Sequence, residues 1–492
     1  MITQRHDRLP YDTLDDVSAD SAVDAVVIGS GPNGLAAAVT LAAAGYSVTV
    51  LEAADVIGGG TRTAELTVPG VLHDVCSAVH PFGIASPYLR TLPLADHGLE
   101  WRWPDVDVAH PLDGGRAGVL LTSIDETAAG LGSDGTAWRR SFGRTAKHYP
   151  AVAADIMQPL LHVPRHPLLL AAHGMRAALP ATRFVRRFST DEARGLFGGI
   201  AAHMFQPLHR PFTTSIGATF IAAGHDTGWP IAVGGSHSIT KALASLLTAM
   251  GGAIQTGVRV TSMRELPPSR VQIFDTTPSV LLSIAGDDLP PRVRRAFGKY
   301  RYGPAAYKID LAVEGGIPWT NEACRRAGTV HVGGTFEEVA AGEAALHQGR
   351  VPDRPFILLA QQYLCDPSRS EGDIHPIWTY GHVPRGYDGD ATDAILNHIE
   401  RFAPGFRERI VGQHVMRPTD FESYNPNYSG GDIAGGANDI QQIVFRPRAA
   451  LDPYATGIPG VYLCSAATPP GAGVHGMGGH NAARRAIKYL AG

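Results

Sequence analysis

The sequence predicts an α/β protein in which a parallel-sheet domain is discontinuous and interleaved with a second, α+β domain. Three observations carry this prediction. A strand, a glycine turn and a helix follow one another at residues 24–44, a second strand, glycine turn and helix fill residues 459–484, and a helix with a following strand spans 234–260 between them. The stretches that separate these pieces lack the pattern, so the first domain is interrupted twice.

The first unit is the most specific. Val26, Val27 and Ile28 give a short buried strand, and residues 35–44 continue as an alanine-rich helix that Gly45 stops. Gly29 permits the tight turn, Gly31 lets backbone approach a diphosphate, and Gly34 lets the helix pack on the strand, so an anion sits at the helix N-terminus. Ser30, Pro32 and Asn33 complete this loop, and Glu52 ends the next strand, 46–52, where a ribose hydroxyl lies in such folds. A GxGxxG alone is weak evidence. The strand before it, the helix after it and the spaced acid make it a Rossmann-type dinucleotide cradle.

Gly58, Gly59, Gly60, Thr61 and Arg62 then form a second glycine loop with a basic residue, where an ordinary NAD domain would enter another helix. On residues 26–63 the chain resembles the flavin amine oxidase and phytoene desaturase superfamily. The resemblance implies FAD as cofactor, with Glu52 holding the adenosine ribose and Thr61 and Arg62 lying along the pyrophosphate and flavin. It also implies that backbone near Val258 or Val260 clamps the adenine, and that 271–278 is another central strand.

The end of the chain matches the terminal flavin motif of phytoene desaturases. There the helix N-terminus faces the flavin pyrimidine, which makes Gly476, Met477 and Gly478 the implied backbone donors. The same segment contains a second formal GxGxxG at Gly471, Gly473 and Gly476, which reads poorly as an NADPH site because no acid and further strand follow before Gly492. Where many flavoproteins of the wider superfamily have Gly-Asp before the final turn, this chain has Ser465-Ala466. That step offers no ribityl carboxylate at this position, places Ala466 at the cofactor, and favours the desaturase branch over a plain monoamine oxidase. Residues 76–81, 424–439 and 469–479 resemble a phytoene-desaturase-like subgroup.

With 492 residues two domains are expected. The predicted FAD domain takes 1–86, 223–280 and 419–492, and the substrate domain 87–222 and 281–418. The first insertion looks mostly helical after Asp125, and the second holds a strand-like run over 302–314. Hydrophobic content of 44%, charged content of 18% and a net charge of −4 describe a globular chain without a nucleic-acid footprint. Cys76, Cys324, Cys365 and Cys464 show no CxxC spacing, so neither dithiol chemistry nor a metal site is expected, and a reducing cytoplasm fits. Residues 1–20 are polar and carry five aspartates, so no signal-peptide core is expected. Segment 157–188 is apolar and arginine-rich without one acid, a composition suited to peripheral contact with an anionic membrane; four prolines argue instead for solvated helices.

Two histidines are the catalytic candidates. His475 lies inside the flavin turn, and His80 follows the first flavin half together with Cys76; histidine exchanges protons near neutral pH. Lys308 and Asp310 share one side of a predicted strand, as an ion pair at the domain interface or as part of the pocket. His203 and His209 are six apart, which suits no metal on one helix face. The expected activity is FAD-dependent dehydrogenation or isomerisation of an apolar, isoprenoid or polyene, substrate, with oxygen, a quinone or an unknown acceptor taking the electrons. An amine oxidase, or an FAD-bound scaffold without turnover, is the alternative.

Overall fold

The computed structural model describes residues 23–492. The polar segment 1–20 therefore lies outside the described residues. Two sheets organise the rest. The first has five parallel strands in the order Val461–Leu463, Ser269–Phe274, Val23–Ile28, Val48–Leu51 and Ala253–Gln255. Val26 and Val27 are fully buried because helices cover both faces, which is why this strand reads as an unbroken apolar run. Helices Pro32–Ala43, His237–Ala249 and Met477–Leu490 pack on one face, and Pro278–Ala285 and Pro291–Phe297 on the other.

Several local expectations shift by a few residues. The first helix begins at Pro32 rather than 35, because Gly31 caps it in extended backbone and proline suits the first helical position. Gly45, at φ +87°, ends it as expected. Ser236 precedes His237–Ala249, but its hydroxyl donates to the Ser77 carbonyl and does not cap the helix. The strand after that helix is only Ala253–Gln255; the chain has left the sheet by Val258 and Val260. The boundary drawn between 222 and 223 falls inside the helix Thr214–Thr227.

The second sheet has seven strands, in the order Ile410–Met416, Ala305–Glu314, Ile374–Val383, Ile357–Ala360, Ala327–Val332, Val106–Leu112 and Arg116–Leu120. All neighbours are antiparallel except Ala327–Val332 with Val106–Leu112. One face buries a core with the helix Thr392–Glu400. The other meets helices from 135–227, including Asp191–Ala202 and Thr214–Thr227. Register places His331, Leu358, Tyr380, Lys308 and Met416 in one row of that face, and Thr329, Ala360, Trp378, Asp310 and His414 in the next.

Arg369 is fully buried and ties distant segments together. It donates to Asp74 at 2.6 Å, to Asp366 at 3.1 Å and to the Ala232 carbonyl at 2.7 Å. Asp74 also accepts from Ser236 N and from Thr63, next to the second glycine loop, so this buried cation fixes that loop against 232–236. Among the described residues no helix is long and apolar enough to cross a membrane.

Candidate functional site

Parallel strands put their C-terminal ends on one edge of the sheet, and Gly29, Glu52, Asp275 and Cys464 each follow such an end. A crevice outside these ends is where open α/β sheets bind nucleotides. One continuous cavity of about 650 Å³ opens there and runs on to the second sheet. Its wall includes Gly29, Gly31, Pro32, Asn33, Glu52, Gly59, Gly60, Thr61, Arg62, Val260, Ala466, His80 and His475. Ser30, Gly34, Gly476 and Met477 are not part of the wall.

The two glycine loops are joined by their own hydrogen bonds. Gly58 N donates to the Ser30 carbonyl at 3.1 Å, and the buried Glu52 carboxylate accepts Ser30 N at 2.9 Å and Ser30 Oγ at 2.6 Å. The other Glu52 oxygen accepts Ala54 N at 2.9 Å and meets Arg62 Nη2 at 3.3 Å. Glu52, expected to hold a ribose, thus also organises the cradle itself. Arg62 donates to the Val56 carbonyl and lies 5.3 Å from the Tyr424 ring centroid. Val258 N donates to the Glu52 carbonyl at 2.8 Å, which fixes the segment reaching Val260.

Asp275 was not anticipated from the sequence. Its carboxylate accepts Gly34 N at 2.9 Å, and a Cβ on Gly31 would come within 2.6 Å of Oδ2. Burial pushes this acid up to about 7, with the Glu52 charge adding to the effect and the Gly34 hydrogen bond opposing it. Its only sequence signal is position, as the residue after a central strand.

At the far end of the cradle, His475 is fully buried. Its Nδ1 accepts Met477 N at 3.1 Å, and the ring also meets the Gly471 and Ala472 backbone. Burial drops His475 to about 4, so at neutral pH the imidazole is uncharged and carries its proton on Nε2. Held this way it is not a base. Met477 N is committed to His475, and Gly476, Met477 and Gly478 lie behind residues 471–475, which line the cavity. The His80 ring is also held, with Nε2 at 2.8 Å from Ser236 Oγ, and burial lowers it to about 4. Cys76 is pushed up to about 11, chiefly by burial, so it is a thiol rather than a nucleophile.

Beyond the cradle the wall becomes apolar, through Leu170, Phe205, Phe212, Ile216, Phe220 and Leu358. Lys308 belongs to both of its predicted settings: its ammonium contacts Asp310, and the residue lines the cavity with Nζ 5.8 Å from the Trp378 ring centroid. Asp310 lies behind the wall, near His73 and His414 at 3.6 Å each. His203 faces the cavity too, whereas His209 is not on its wall. Among the described residues there is no metal-ligand cluster.

A flavin dinucleotide fits these residues. The cradle is open only because glycine stands at 31, where a side chain would meet Asp275, and at 34, where one would overlap the Gly29 carbonyl. Gly31, Asn33 and the 59–62 loop would hold the diphosphate, Glu52 and 258–260 the adenosine, and Ala466 with 471–475 the flavin end.

Comparison with known proteins agrees with this geometry. Residues 27–92 match the NAD(P)-binding Rossmann-like domain family. The chain is 25% identical to pyridine nucleotide-disulfide oxidoreductase domain-containing protein 2 of Rattus norvegicus, across 95% of this chain and 94% of that protein. It is 26% identical to hydroxyneurosporene desaturase of Cereibacter sphaeroides, across 95% and 98%. A solved putrescine oxidase bound to putrescine superposes with a TM-score of 0.61 at 18% identity, covering 96% of this chain and all of that one.

Proposed function

We propose, from the premise that this chain is an oxidoreductase related along nearly its whole length to the phytoene desaturases, that it holds FAD and dehydrogenates or isomerises an apolar, isoprenoid or polyene, substrate. One observation carries the reading: the cavity that begins between two glycine loops continues, without a break, into a compartment walled by Leu170, Phe212, Ile216, Phe220 and Leu358. Such a wall excludes water and binds hydrocarbon through burial, at about 25 cal/mol per Å². FAD, when bound, supplies the hydride acceptor. The chain orients the substrate by shape against the aromatic wall and keeps solvent protons away from the reacting carbon. At the cradle end the neutral His475 and the Asp310-bound Lys308 keep their nitrogens buried, so they shape the wall there.

Anaerobic mixing tests this reading. The flavin-loaded protein should bleach with an isoprenoid or polyene extract and not with primary amines. Bleaching by amines alone would hand the assignment to amine oxidation. Reduction by light but by no amine, polyene or lipid would leave an FAD-bound scaffold. Reoxidation of the photoreduced protein by air or by a soluble quinone then identifies the acceptor class.

A further inference from the structure

His203 and His331 face each other with Nε2 to Nε2 at 3.0 Å. His203 follows the helix Asp191–Ala202 and lines the cavity, while His331 sits fully buried on Ala327–Val332. Phe220, Trp229 and Phe356 surround the His203 ring, at 5.1, 6.1 and 6.5 Å between centroids. Burial lowers His203 to about 3, with the neighbouring His382 contributing, and His331 is lowered as well, so both rings are neutral. Two neutral imidazoles meeting through Nε2 share one proton. If His331 donates it, His203 Nδ1 carries a hydrogen; if His203 donates it, Nδ1 is a bare acceptor. The bond to His331 is the only hydrogen bond of the His203 ring among the described residues.

We propose that His203, backed by His331, is the polar anchor of the apolar compartment, and that it selects an otherwise apolar molecule bearing one uncharged hydroxyl or carbonyl oxygen. The proposal rests on the apolar-substrate reading and narrows it. A hydroxyl or carbonyl oxygen satisfies Nδ1 in one tautomer of the pair or the other. A pure hydrocarbon leaves Nδ1 unpaired in a dry wall, which is unfavourable. An ammonium or carboxylate finds no counter-charge in a neutral pair and loses its hydration. Lys308, the nearest cation in the same row of the sheet, is three strands from His331, roughly 14 Å at the usual strand spacing. His203 is a positioning group for the distal end of the substrate, because Phe220 and Phe82, stacked at 4.2 Å, stand between it and the flavin turn.

Ligand binding to the flavin-loaded protein tests this with four molecules of one carbon skeleton class: geraniol, geranial, geranylamine and myrcene. Tryptophan emission reports binding, since Trp229 and Trp378 line the cavity. Geraniol and geranial should bind at least tenfold more tightly than myrcene and geranylamine, about 1.4 kcal/mol. His203→Phe should abolish that advantage while leaving myrcene binding unchanged, and His203→Gln, with a neutral donor and acceptor, should restore most of it. Equal affinity of the native protein for geraniol and myrcene overturns the anchor while the apolar-substrate reading stands, and so does an intact advantage in His203→Phe. If none of the four binds, the apolar-substrate reading falls and the anchor falls with it.

Discussion

The Asp275 carboxylate accepts the Gly34 backbone N–H at 2.9 Å, so an acid from the Ser269–Phe274 edge sits on the helix terminus that the glycine turn opens. A carboxylate there supplies the acceptor that the Pro32–Ala43 helix needs at its N-terminus, yet adds negative charge where a diphosphate would bind. Glu52 is a second acid beside it.

Asp275→Asn should therefore change both stability and flavin affinity. A carboxyl raised from 3.8 to about 7 contributes stability fully present below pH 3.8 and lost as pH rises through 7. Asparagine keeps an oxygen for Gly34 N and has no charge to bury. The flavin-free variant should match the native protein near pH 4 and exceed it by a few kcal/mol, on the order of one pK unit per 1.4 kcal/mol, above pH 7. Urea midpoints at pH 4, 5.5 and 7.5 check the window. Flavin titration at pH 8 should show tighter binding in the variant; weaker binding would mean that the acid aids the diphosphate.

Glycine 34 gives a sharper steric prediction. A Cβ there would overlap the Gly29 carbonyl, so Gly34→Ala must move the turn, at a cost of about 1–3 kcal/mol or more. Gly45→Ala is the control. Gly45 has the positive φ of a helix end but no neighbour within reach among the described residues, and alanine there should cost about 1 kcal/mol. Purified Gly34→Ala should lack flavin absorbance and Gly45→Ala should retain it. Equal flavin content would remove the close approach as the reason for glycine.

How much of this was legible in the sequence follows from the range of the interactions. The Gly29 to Gly34 turn, Glu52 and the Gly58 to Arg62 loop are local patterns with fixed spacing, and the structure brings them to one crevice. Asp275 and His331 act across 241 and 128 residues, on Gly34 and His203 respectively, and no spacing rule links such pairs. Lys308 and Asp310 were visible as neighbours on one strand face, but which of them meets the cavity depends on how the second sheet docks. The missing Ser236 cap has the same origin: a hydroxyl that suits a helix end locally is drawn to Ser77, 159 residues away.

Arg369 shows the same long-range dependence energetically. It lies fully buried between Asp74 and Asp366, and burial would lift Asp74, but the arginine and the hydrogen bonds from Ser236 and Thr63 outweigh this and hold it below its usual range. Arg369→Met leaves two buried carboxylates unpaired and should cost about 3–5 kcal/mol at neutral pH. The sign with pH is opposite to that of Asp275. A lowered carboxyl contributes stability present above pH 3.8 and lost as pH falls through its folded value, so the gap between native and variant should shrink on acidification. Melting curves at pH 7 and at pH 3, below 3.8, decide it, and a gap that widens in acid would contradict the buried-pair account.

An apolar molecule must reach the cavity from somewhere less polar than water. We propose that segment 157–188 meets an anionic membrane surface. Leu161, Val163, Leu168 and Met175 project into solvent, with Val163 91% and Leu168 78% exposed, beside Arg165, Arg183, Arg186 and Arg187 and without an acid in the segment. Leu160 and Leu170, next to these side chains, line the cavity, so the exposed face and the apolar compartment share one stretch of chain. The helix Pro167–Ala177 is too short to span a bilayer, which restricts contact to the interface. The protein should co-sediment with vesicles rich in anionic lipid, more weakly as salt rises, and hardly with neutral ones. Leu168→Glu with Met175→Glu should reduce binding at least tenfold without changing the melting temperature, because both residues are already in water. Unchanged co-sedimentation of that variant would assign the arginines to a solvated helix pair and leave substrate entry to another route.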